Sequence, residues 1–142
     1  MNTSTLRVAT CVLLALLASP VVAHDIYFAV AYPSWDVQFD GDPVASNPTL
    51  QLIRGETYNI HLSGLIGFHS FYIKTASSTG STDAYNDGLS DNGVTTDTPA
   101  LSPITFTVPQ SAPDQLFYNC GIHLSMAGVI NVDGVFRSGF EP

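Results

Sequence analysis

From residue 25 onward no stretch of this chain carries apolar residues at a helical period. In their place come short runs of β-branched and aromatic residues, each closed by Gly, Pro, Asn or Asp. Apolar residues alternating at a period of two suit a half-buried strand, whereas a helix needs them three and four apart. The pattern predicts strands over residues 25–31, 35–39, 49–53, 57–62, 69–75, 104–108, 115–120 and 128–132. In the fourth of these Tyr58, Ile60 and Leu62 share one face, and Thr57, Asn59 and His61 the other. Arg54-Gly55-Glu56 reads as a turn. Seven to eight short strands with one long irregular connection predict an all-β fold, an antiparallel Greek-key β-sandwich. That connection, residues 76–102, is rich in Ser, Thr, Gly, Asp and Asn. Its Asp83, Asp87, Asp91 and Asp97 lack the alternate-residue spacing of an EF-hand loop, so it reads as a solvated surface loop.

The two ends differ from the strand-forming part. Residues 1–23 have a short polar start carrying Arg7, an apolar run over 8–18 and a small-residue close at Ala23. That is the layout of a signal peptide cleaved after Ala23, and it predicts a periplasmic or secreted protein. The apolar run is shorter than the roughly 20 residues a permanent membrane anchor needs. Residues 24–132 then form one domain. Residues 133–142, "DGVFRSGFEP", lack alternation and read as a flexible C-terminal tail. After cleavage three basic residues (Arg54, Lys74, Arg137) face twelve acidic ones. Nucleic acid and anionic membrane surfaces are excluded as partners by that balance, because both are recognised through positive charge.

Cleavage also removes Cys11 and leaves Cys120 alone, so no intrachain disulfide can form. A single cysteine in an oxidising compartment is paired between chains, reactive, or bound to something. Its setting, "FYNCGIHLSMAGVINV", places His123 three and Met126 six residues further on. Leu116, Tyr118 and Cys120 share one strand face, so Cys120 points inward at the strand's end, and His123 and Met126 fall in a short loop before the next strand. Thiolate, imidazole and thioether form a soft donor set suited to copper, and thioether is seldom a zinc ligand. One more imidazole is needed. In "GLIGFHSFYIKT" His69 shares parity with Phe71 and Ile73 and faces the core, with Gly67 leaving room for another loop to approach.

Over residues 49–132, "FHSFYIKT" followed by "ITFTVPQSAPDQLFYNCGIHLSMAGVINV" resembles the cupredoxins, the small blue copper proteins, in their plastocyanin- and amicyanin-like form. The resemblance implies a cupredoxin-like sandwich binding one copper ion. His69, Cys120 and His123 would be its strong trigonal ligands and Met126 its weak axial one. Where many members have Asn or Pro after the first histidine, this chain has Ser70. Its backbone N–H is expected to reach the Cys120 sulfur and tune the potential. The resemblance also implies an apolar docking patch around His123, here Leu65, Ile66, Ile122 and Leu124.

The implied function is an exported, monomeric type 1 copper protein carrying one electron between Cu(I) and Cu(II) for a transient redox partner protein. With all four positions filled by protein no site remains for substrate, so the expectation is a carrier and not an enzyme. The alternative is a periplasmic copper-binding or delivery protein using the same ligands without electron transfer. A third reading is an oxidative enzyme in which His24, made N-terminal by cleavage, forms a histidine brace with His61.

Overall fold

The computed structural model describes residues 22–99, 101–133 and, as backbone, 139–140. The expected signal segment lies outside the described residues apart from Val22 and Ala23. Among the described residues there is no helix, and so none long and apolar enough to cross a membrane. Ten strands form instead: β1 (His24–Ala31), β2 (Ser34–Phe39), β3 (Ala45–Ser46), β4 (Leu50–Ile53), β5 (Thr57–Ser63), β6 (Phe71–Lys74), β7 (Ile104–Thr107), β8 (Gln115–Cys120), β9 (Ala127–Asp133) and β10 (Gly139–Phe140). The eight expected strands are all present, and β3 and β10 are two-residue additions at sheet edges.

The strands make two five-stranded sheets, ordered β3-β2-β1-β5-β7 and β10-β4-β9-β8-β6. The expectation of an all-β sandwich is met. Its sheets, however, are mixed: β1 runs parallel to β5, and β4 parallel to β9. Parallel neighbours need a crossover, and here each crossover passes through the opposite sheet, which strand-by-strand alternation cannot reveal. β10 pairs antiparallel with β4, Phe140 opposite Leu50. The segment expected as a flexible tail therefore returns to the sheet at that point.

Alternation explains the core. In β2 Trp35, Val37 and Phe39 are buried while Ser34, Asp36 and Gln38 are half-exposed. Phe28, Phe71 and Tyr118 converge from both sheets, with ring centroids 4.8 and 5.0 Å from Phe28. Two buried phenols find partners, as aromatic hydroxyls in a core usually do. Tyr118 donates to the Pro48 carbonyl at 2.6 Å, and Tyr58 accepts the Ile53 N–H at 2.9 Å. Tyr118 faces Gly128 across the β8–β9 ladder, where a Cβ would lie 2.1 Å from its hydroxyl oxygen. Only glycine fits there.

The long connection is not simply a solvated loop. It forms isolated bridges to β6 and β7 (Phe71 with Val94, Lys74 with Ala84, Leu89 with Phe106) and so covers the edge between the sheets. Asn92 fastens it. Its side chain accepts the Ile73 N–H at 3.0 Å and donates to the Ile73 and Tyr85 carbonyls at 3.0 and 2.9 Å. Asp97, one of the four acids, accepts the Leu65 N–H at 2.8 Å.

Candidate metal centre

Three side chains that the sequence singles out meet at one end of the sandwich. Cys120 is the last residue of β8 and fully buried, as its parity with Leu116 and Tyr118 requires. His69 comes from the turn before β6, two residues short of the strand expected to carry it, and His123 from the loop between β8 and β9. The Cys120 sulfur lies 3.7 Å from Nδ1 of His69 and 3.7 Å from Nδ1 of His123, and the two nitrogens are 3.2 Å apart. A point equidistant from these three atoms lies about 2.1 Å from each, within the roughly 2.0–2.3 Å range of first-row metal bonds to imidazole and thiolate. The triangle is thus sized for one ion. Among the described residues it is the one group of three or more such ligands that meets this closely.

The loop from Gly121 to Met126 is held from several sides. The Met126 carbonyl accepts the Cys120 N–H at 2.8 Å and the indole N–H of buried Trp35 at 3.0 Å. Asn47 accepts the Trp35 N–H at 2.9 Å and donates to the Ser125 carbonyl at 3.0 Å. Core and ligand loop are therefore one hydrogen-bonded unit. Met126 itself is fully buried directly before β9. On the His69 side the turn puts Ile66 at φ 39° and Gly67 at φ 69°. A β-branched residue in that region is strained, by about 1–3 kcal/mol. It is held there because Leu65 is buried and its carbonyl accepts the N–H groups of Phe68 and His69. A Cβ at Gly67 would meet open space, so this glycine serves the turn and not, as expected, the close approach of a second loop.

Burial, then the neighbouring His123, lowers the pKa of His69, which favours the neutral ring a metal ligand must be. The sulfur also accepts a backbone N–H, from Ile122 at 3.4 Å. Ser70 was the expected donor. Its carbonyl instead accepts the Gly121 N–H at 3.0 Å, locking the two ligand segments together, while Ser70 stays buried. The donor is local to the Cys-Gly-Ile turn, and Ser70 lies across the β6–β8 edge.

The apolar surface around the site differs from expectation in one residue. Ile66, Ile122 and Leu124 are exposed, but Leu65 is fully buried as the anchor of its turn. Phe68 and Tyr32 join the patch, each about two-thirds or more exposed. Tyr32 stands edge-on to His123, ring centroids 5.2 Å apart. It lies 91 positions earlier in the chain, so nothing linear linked the two.

The histidines of the brace reading go elsewhere. His24 Nδ1 pairs with Asp40, and His61 Nε2 with Asp25 at 2.9 Å. His61 is buried under a stacked Tyr27 ring at 4.4 Å, against the expectation of a solvent-facing side chain. Neither belongs to a ligand group among the described residues.

Fold and site together define a class of protein: a β-sandwich with a His–Cys–His triangle gathered at one end. No protein-family model matches the chain, and no curated protein sequence matches it. Among solved structures it is similar to rusticyanin from Thiobacillus ferrooxidans, 23% identical over 82% of this chain and 79% of that one, TM-score 0.49. Reduced rusticyanin is similar at 23% identity over 82% and 81%, TM-score 0.49. A reduced tryptophan-to-tyrosine variant of amicyanin is similar at 15% identity over 84% and 88%, TM-score 0.42.

Proposed function

We propose that this chain is a mononuclear type 1 copper protein that carries single electrons. The observation behind the reading is the triangle of one thiolate sulfur and two imidazole nitrogens with sides of 3.7, 3.7 and 3.2 Å. His69, Cys120 and His123 would hold the ion, and buried Met126 would supply the weak fourth ligand. Such a soft N₂S set with a thioether is a copper site by its chemistry. When bound, copper supplies a one-electron couple, Cu(II)/Cu(I).

The chain's own part is to keep its ligands still. Clamping by Trp35, Asn47 and the Ser70–Gly121 bond holds them in one arrangement, so little needs to rearrange between oxidation states. Burial of Cys120 keeps water from the sulfur. With three strong ligands and Met126 provided by protein, no position is left for substrate, which favours a carrier over a catalyst. The exposed apolar residues Ile66, Ile122 and Leu124, with Phe68 and Tyr32, suit transient docking of a redox partner protein next to His123. The signal-like residues 1–23 favour export to the periplasm or beyond.

The test is spectroscopic. Cu(II) added to the purified domain should give an intense blue absorption that ascorbate bleaches, and the Cys120→Ser variant should bind without that colour. A colourless wild-type complex would remove the type 1 reading. A blue complex that yields its copper to a mild chelator within seconds and shows no reversible redox wave would favour copper delivery.

A further inference from the structure

Lys74 is the last residue of β6, and no part of it is exposed. A lysine so placed is expensive, because its charge leaves water. Among the described residues no carboxylate forms an ion pair with it. Its Nζ instead reaches three oxygens: the Ser78 carbonyl at 2.7 Å, the Gly80 carbonyl at 2.6 Å and the Ser78 hydroxyl at 3.2 Å. Ser78 gives its own hydroxyl proton to the Thr82 carbonyl at 3.2 Å, so it accepts from Nζ. Three acceptors need three N–H donors, which only the ammonium form has. This set of acceptors favours the ammonium form, against burial, which pulls the lysine's pKa down, while the nearby Asp83 holds it up.

The lysine is linked to the ligand end through Tyr72 and Gly80. Nζ sits 5.1 Å from the centre of the Tyr72 ring, and this ring packs on Gly121, where a Cβ would lie 2.7 Å from a ring carbon. Gly121 follows Cys120. The oxygens that hold Nζ belong to the same structure, since the Gly80 N–H donates to the Gly121 carbonyl at 2.6 Å and Asn119 donates to the Ser77 hydroxyl at 3.3 Å. Asp83 is the nearby acid, and it is exposed, so solvent screens it.

We infer that the buried, unpaired ammonium of Lys74 raises the reduction potential of the proposed site by favouring the reduced, less positive state of the ion. The inference rests on the copper reading. It adds a potential-setting charge outside the ligands and outside the bonds to the sulfur. Neutral hydrogen-bond partners leave the field of the ammonium uncancelled, and low-dielectric surroundings carry it further than water would.

The experiment compares midpoint potentials and visible spectra of copper-loaded wild type, Lys74→Met, Ser78→Asp and Ser78→Ala, the potentials being measured against a dye couple of known potential. Ser78→Asp places a carboxylate beside Nζ and offsets the field while keeping the lysine and its bonds to the Ser78 and Gly80 carbonyls, and Ser78→Ala controls for the lost hydroxyl contacts. Both Lys74→Met and Ser78→Asp should lower the Cu(I):Cu(II) ratio at fixed solution potential by on the order of tenfold, which for one electron is 59 mV. Ser78→Ala should leave it within twofold. If Lys74→Met does not fold, Ser78→Asp decides. An intact blue band with an unchanged ratio in Ser78→Asp overturns the inference, even should Lys74→Met shift, because the lysine would then act as a clamp and not as a charge. Absence of the band from wild type overturns the copper reading and this inference with it.

Discussion

Trp35→Phe tests whether core and ligand loop are one unit. The substitution keeps an aromatic ring against Phe28 and Phe71, which Trp35 meets edge-on at centroid distances of 6.1 and 5.8 Å. It removes the indole N–H that the Met126 carbonyl accepts at 3.0 Å. That carbonyl keeps the Cys120 N–H at 2.8 Å, so it is not orphaned, and the lost bond is worth about 1 kcal/mol. Phenylalanine also leaves a void beside a fully buried position, adding about 1–2 kcal/mol in lost contacts and transfer free energy. A total near 2–3 kcal/mol is affordable for a domain with a net stability of about 5–15 kcal/mol, so the variant should fold. Urea unfolding of the copper-free protein would measure it. Trp35 is the single tryptophan, so far-ultraviolet circular dichroism is the probe for both proteins. The midpoint should fall with the slope unchanged, and copper should pass to a chelator faster because the Met126 end of the loop is less firmly held. A loss below about 0.5 kcal/mol would refute the view that this indole ties the loop to the core.

Gly128→Ala should cost about 2–4 kcal/mol in the same assay, because its Cβ would lie 2.1 Å from the Tyr118 hydroxyl and would break the bond to Pro48. A cost under about 1 kcal/mol would mean the β8–β9 ladder relaxes there freely. Burial pushes the Tyr58 phenol up to about 12, with the Ile53 N–H pulling the other way and the charges of Glu56 and Asp40 adding to the rise. The folded state thus holds this proton more tightly than the unfolded chain, whose tyrosines titrate near pH ~10. Its stabilising effect is complete below about pH 10 and is lost as pH rises through about 12; Tyr118 is shifted in the same direction. Urea midpoints between pH 8 and 12 should therefore fall less steeply in Tyr58→Phe than in wild type, and equal slopes would contradict the assignment.

What could be read along the chain was whatever depends on near neighbours. Alternation located eight strands, and the parity of Leu116, Tyr118 and Cys120 aimed the thiol inward, because successive side chains of a strand take opposite faces. The closeness of His123 to Cys120 was legible for a similar reason, since a loop of a few residues cannot carry it far. His69 was legible as a residue type; its distance to the sulfur was not. Sheet neighbours, by contrast, are set by packing between segments far apart in sequence. The parallel β1–β5 and β4–β9 pairs, Tyr32 against His123, Trp35 on Met126 and Asp25 on His61 all come from it. Lys74 shows the difference most clearly. Its parity, opposite to that of Phe71 and Ile73, puts it on the outer face of its strand, and only the fold of residues 75–84 over it buries it. Local rules say which way a side chain points, and the rest of the molecule decides what it meets there.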